Sequence, residues 1–139
     1  MTRLARLGLI FWLIPALPGL ALAGEVDILA VEAKPLPNGT WRFDVTVQHE
    51  DEGWDHYADG WEVIGPSGKL ITRRVLRHPH VGENAFTRSK IGFSIPGHLQ
   101  WVTVRGHDKI HAYGGTEKKV DLKNRPNPKD SVAEPEENQ

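Results

Sequence analysis

The stretch TWRFDVTVQH, residues 40–49, decides the fold. Trp41, Phe43, Val45 and Val47 fall on one side of an extended chain, and Arg42, Asp44, Thr46 and Gln48 on the other. Successive side chains of a strand point to opposite faces, so this strict period of two predicts a strand with one face buried and one solvated. His49 continues the apolar series, which places its ring at the mouth of the core that this face covers.

Working outward, six more segments carry strand signals bounded by turn residues. EVDILAVEA (25–33) precedes the turn-forming PLPNG. Residues 58–64 put Trp61 and Val63 on one face and end at GPSG, which leads into KLITRRVL (69–76). FTRSKIGFSI (86–95) predicts Ile91, Phe93 and Ile95 inward and stops at Pro96-Gly97. QWVTVRGH (100–107) turns Val102 and Val104 inward, and EKKVDL (117–122) follows Gly114-Gly115. No stretch sustains a helical period. The expected fold is all-β: an immunoglobulin- or fibronectin type III-like antiparallel β-sandwich of about seven strands. Its expected core is Trp41, Phe43, Val45, Val47, Trp61, Val63, Ile91, Phe93, Val102 and Val104.

The flanks have a different character. Arg3 and Arg6, an apolar run over 7–23 and the small-x-small Ala21-Leu22-Ala23 predict a signal peptide over 1–23. That run is broken by Pro15 and Pro18 and is shorter than the roughly 20 residues of a membrane span, so no membrane association is expected after cleavage. The sandwich domain is expected over 24–122, and the proline-rich, polar 123–139 reads as a disordered tail. A periplasmic or secreted bacterial protein follows. Cysteine is absent, which excludes disulfides, thiolate metal sites and a cysteine nucleophile, so the core alone must hold the domain. The mature chain has 15 basic and 18 acidic residues, and this balance argues against nucleic acid as a partner. Asn38-Gly39-Thr40 matches a glycosylation sequon but reads better as a turn.

Strand direction then locates the chemistry. If consecutive strands run antiparallel, the loops after strands two, four and six share one pole. His49 and His56 belong to the first of these loops, His78 and His80 to the second, His107 and His111 to the third. Six of the seven histidines therefore converge, and only His98 falls on the opposite pole. Glu50, Asp51, Glu52, Asp55, Glu83 and Asp108 accompany them.

Neutral imidazole with carboxylate suits zinc or copper(II), while a chain whose one methionine is Met1 does not suit copper(I). The candidate metal ligands are His49, His56, His78, His80, His107, His111, Asp51 and Asp55. Both rings of HPH (78–80) are expected on one side, and His107 and His111 are expected to approach across HDKIH. The blander reading has these histidines as solvated or loop-capping groups. Trp54, Tyr57 and Asp108 are candidate ligand contacts, although one of Trp54 and Trp61 should be core and Asp108 is also suited to fixing the turn before His111. Tyr57 and Tyr113 are expected to bond backbone at strand corners. Arg73 and Arg77 are separated by alternation from Arg74, which favours a solvated face with cross-strand ion pairs over an anion site. No nucleophile elbow marks a serine and no substrate is indicated, so binding is favoured over catalysis. The partner of a metal-free binding module would be another periplasmic protein or a small ligand.

The runs HEDEGWDHYADGWEV, RVLRHPHVGENAFTRS and VRGHDKIHAYGG together resemble a group of small exported bacterial proteins of unassigned function. The resemblance covers most of the mature domain and implies only that the motif-bearing segments are the three loops of one pole.

Overall fold

The computed structural model describes residues 24–123; the expected signal peptide over 1–23 and nearly all of the expected tail over 123–139 lie outside the described residues. Seven strands make up the domain: β1 (Asp27–Pro35), β2 (Trp41–Gln48), β3 (Ala58–Ile64), β4 (Leu70–Val75), β5 (Ala85–Phe93), β6 (Trp101–Asp108) and β7 (Lys118–Asp121). They form two antiparallel sheets, a three-stranded sheet in the order β1-β2-β5 and a four-stranded sheet in the order β4-β3-β6-β7. The described residues are all-β, and the two sheets pack as a β-sandwich.

Alternation in β2 buries Trp41, Phe43, Val45 and Val47 as expected. They meet Trp61 and Val63 of β3 and Val102 and Val104 of β6, with Val26, Ile28, Leu76, Phe86, Phe93 and Ile95 completing the core. At roughly 1.5–3 kcal/mol for each large side chain withdrawn from water, this core can hold the domain without disulfides. The Asn38-Gly39 segment is a turn, with Gly39 at a φ of +80° and the Asn38 side chain accepting from the Thr40 backbone N–H.

One expected core residue is corrected. Ile91 is 55% exposed, on the outer face beside Arg42. The cause is a β-bulge: Trp41 pairs with Phe93 but Arg42 pairs with Ile91, leaving Gly92 as an extra residue at a φ of +78°. An inserted residue inverts the parity of everything before it, so Phe86, Arg88 and Lys90 lie on the inner side instead.

The edges of the two sheets meet differently on the two sides. β1 packs against β6 and β7, and there Gly106 leaves room for Val26, whose Cγ1 would stand 2.3 Å from a Cβ at that position. On the other side the edge strands β4 and β5 leave the sandwich more open.

Candidate metal centre

The loops β2–β3 and β4–β5 and the end of β6 gather at one pole. His98 lines a cleft at the other, with Gly65, Pro66 and Ser67 of the β3–β4 turn. The site begins with strand parity. His49 follows the buried series of β2, and Asp108 follows Val102, Val104 and Gly106 on the inner face of β6. Both are enclosed, at 3% and 0% exposure.

His56 joins them from the β2–β3 loop, which folds back on itself through Glu52 N–H donating to the His56 carbonyl and His56 N–H donating to the Gly53 carbonyl. One ligand atom from each of His49, His56 and Asp108 lies within 4.8 Å of the other two. The His56 Nε2 to Asp108 Oδ1 distance is 3.4 Å. Bonds of about 2.0–2.1 Å to a tetrahedral zinc ion put neighbouring donors about 3.4 Å apart. That pair is therefore already at ligand spacing, and closure of the third donor takes about an ångström.

The rest of each side chain is held by the protein. Asp51 Oδ1 faces His49 Nδ1 at 2.6 Å and accepts from the Ala58 N–H at 2.9 Å, while Oδ2 accepts from the His80 N–H at 2.6 Å. A carboxylate engaged by two backbone donors requires His49 Nδ1 to carry a proton, which leaves the Nε2 lone pair free. Glu52 Oε2 lies 3.0 Å from His56 Nδ1 and orients that ring the same way. Asp108 Oδ1 accepts from the backbone N–H groups of Ile110 (2.8 Å) and His111 (2.7 Å). Burial pushes the Asp108 carboxyl upward, yet these two hydrogen bonds, with His111 and His49 nearby, bring the net shift below the ordinary carboxylate range.

The consequence is a set of unsatisfied atoms. His49 Nε2, His56 Nε2 and Asp108 Oδ2 are all buried without a hydrogen-bond partner. Bare lone pairs repel one another in a low-dielectric interior unless a cation lies among them. His111 stands at the mouth, its ring 5.0 Å from that of His56 and its Nδ1 3.2 Å from Asp108 Oδ1, with a third of the side chain exposed.

The other expected site residues are placed as follows. Asp51 sits behind His49 as its orienting group, and Asp55 is exposed, with no side-chain hydrogen bond or ion pair among the described residues. His78 and His80 lie close together, ring centroids 4.7 Å apart, and His80 stacks on Phe86 at 3.9 Å. Burial, and then the charges of Arg88 and His78, hold the His80 imidazole below its usual pKa. His107 and His111 do not meet across their turn, because Asp108 points inward and its neighbour His107 must point outward. There His107 pairs with Asp59 and packs edge-on against Tyr113. Tyr113 does not bond backbone as expected; its hydroxyl donates to Glu62 Oε1 at 2.7 Å. Trp61 is core, whereas Trp54 is 64% exposed and leans on Tyr57. Arg73 meets Glu62 across the strands, at 3.4 Å.

Glu52, expected only as one of the acidic residues of this pole, was legible as a partner of His56 from its spacing of four residues. Asp59 and Glu62 carried no local signal, since their partners come from β4, β6 and the β6–β7 loop.

No protein-family model matches this chain, and no solved structure matches it. Over 97 residues, 70% of this chain, it is 38% identical to a protein of Halomicrobium mukohataei named "Putative lipoprotein". The chain spans about half the length of that relative, the match covering 47% of it.

Proposed function

We propose that this protein is an exported β-sandwich of fibronectin type III kind whose histidine-rich pole binds one divalent transition metal ion, zinc or copper(II). The fourth strand pairs with the third rather than joining the sheet of the first, and this order favours the fibronectin type III reading over an immunoglobulin constant-type one. Export to the periplasm or beyond rests on the leader-like residues 1–23 and is supported by similarity to a protein named as a lipoprotein. With no cysteine, the 139 residues have no attachment point for a cysteine-linked lipid.

The observation that carries the metal reading is that one ligand atom from each of the buried His49, His56 and Asp108 lies within 4.8 Å of the other two, while His49 Nε2, His56 Nε2 and Asp108 Oδ2 have no hydrogen-bond partner. A single proton satisfies one imidazole; a metal ion satisfies all three donors together. His111 is suited to be a fourth ligand, and Asp51 and Glu52 supply the outer carboxylates that orient metal-binding imidazoles.

The test is a competition titration of the mature, untagged protein with zinc and with copper(II) after stripping with chelator. The expected result is one equivalent bound below roughly micromolar, weakened at least about 100-fold in His49→Ala and in His56→Ala and unchanged in His98→Ala. Absence of saturable binding, or full affinity in His49→Ala, refutes the reading. A second reading, a metal-free module that docks a partner through this pole, is favoured by one observation: Trp54, Val81 and Ile110, one from each of the three loops, are all more than 60% exposed. It predicts that metal analysis is blank and that Trp54→Ala abolishes partner binding.

A further inference from the structure

We propose that the open side of the sandwich, between the edge strands β4 and β5, is a binding site for a small oxyanion of the phosphate class. Three guanidinium groups (Arg74, Arg77 and Arg88) and two imidazoles (His78 and His80) line a cleft of 190 Å³ there. The register sends two of these arginines inward. Arg74 lies opposite Trp61 and Arg88 opposite Val45, both core residues, so each projects from the buried side of its sheet toward the gap between the edges.

Their charges are poorly compensated. Arg73, one residue away on the outer face, meets Glu62 and Asp59. Among the described residues, Arg74 and Arg77 have no carboxylate partner, and Arg88, whose Nη1 donates to the Thr87 carbonyl and whose guanidinium lies over the Phe86 ring, has as its carboxylate partner only the largely exposed Glu83, at 3.9 Å. Arg74 Nε is buried with no hydrogen-bond acceptor, and so are both ring nitrogens of His80. Inward-pointing charges also serve to protect sheet edges, but such a charge reaches water with all its donors. Arg74 Nε does not.

Planar guanidinium forks match the geometry of an oxyanion and hydrogen-bond to it more strongly than to a neutral acceptor. Size narrows the class. Sites for drug-sized ligands run to about 300–1,000 Å³, so a cleft of 190 Å³ matches a phosphate group or a small phosphate ester. The same chemistry is presented by free phosphate and by a lipid headgroup, and the test separates them.

The experiment is calorimetric titration of the chelator-stripped mature protein, so that its result is independent of the metal centre. One arm adds inorganic phosphate and the other phosphatidylglycerol vesicles. The expected result is saturable 1:1 binding of inorganic phosphate, weakened about tenfold by Arg74→Met and again by Arg88→Met, with Lys118→Met unchanged. Arg77 is exposed, so Arg77→Met gives the same reading where Arg74→Met fails to fold. Three results overturn the proposal: no saturation by about ten millimolar phosphate, saturation that survives the Arg77 and Arg88 substitutions together, or binding to vesicles with none to soluble phosphate.

Discussion

Replacing Asp51 by asparagine removes one charge and almost no volume, and it should nonetheless be among the most costly changes in the domain. Oδ1 serves His49 and the Ala58 N–H, while Oδ2 serves the His80 N–H. An asparagine placed here must turn its NH₂ toward one of these sets. The cheaper choice faces the His80 N–H, leaving that buried donor opposed by another donor at a cost of about 1–3 kcal/mol. The two remaining hydrogen bonds lose the advantage of a charged acceptor, about 0.5–1 kcal/mol each. The sum is about 2–5 kcal/mol, which for a domain near 100 residues lowers the melting temperature by roughly 10–25 °C. Thermal unfolding of the chelator-stripped protein, followed by circular dichroism and by fluorescence of the buried Trp61, measures it. A melting temperature within about 3 °C of wild type, less than the shift expected from 1 kcal/mol, refutes the reasoning, because Asp51 would then not be what ties the β2–β3 and β4–β5 loops together.

Two further predictions concern stability. The Glu62 carboxyl is pushed upward by burial but held below its ordinary value on balance by Tyr113 and Arg105. A depressed folded-state value contributes stability that is present above the unfolded pKa and is lost as pH falls through the folded one. The difference in melting temperature between wild type and Glu62→Gln should therefore be full at neutral pH and shrink below about pH 4.5; a gap constant down to pH 3 refutes it. Gly106→Ala drives a methyl group into Val26 and should cost about 1–3 kcal/mol by chemical denaturation, and Val26→Ala should relieve part of it in the double variant. Strictly additive losses would show that Val26 is not the obstacle.

Much of this arrangement is written in parity. The alternation of β2 was enough to bury four residues and to carry His49 inward after them, and turn residues divided the remaining strands close to where they end. The shared pole of three loops followed from strand direction alone. Ile91 failed because a bulge is a backbone event: nothing in IGF distinguishes a glycine that continues a strand from one inserted as an extra residue. The turn-fixing role expected of Asp108 holds, its Oδ1 accepting from Ile110 and His111, but the approach of His107 to His111 failed for a simple reason. The inward series Val102, Val104 continues through Gly106 to Asp108, and ending β6 one residue early hid the fact that Asp108 points to the core and His107 away from it. The division of Asp51 and Asp108 into orienting carboxylate and inward donor depends on which backbone N–H groups each one meets, and those come from 7 and 29 residues away for Asp51.

The bulge at Gly92 has a consequence beyond the register. β5 is an edge strand, and an edge with unpaired backbone groups and an exposed isoleucine is a template on which another chain could add itself. An extra residue there bends the strand and interrupts the even spacing that a straight incoming strand would need. Gly92, close to the C-terminal end of β5, with Pro96 shortly after it, thus breaks the edge at the point where Ile91 is displayed.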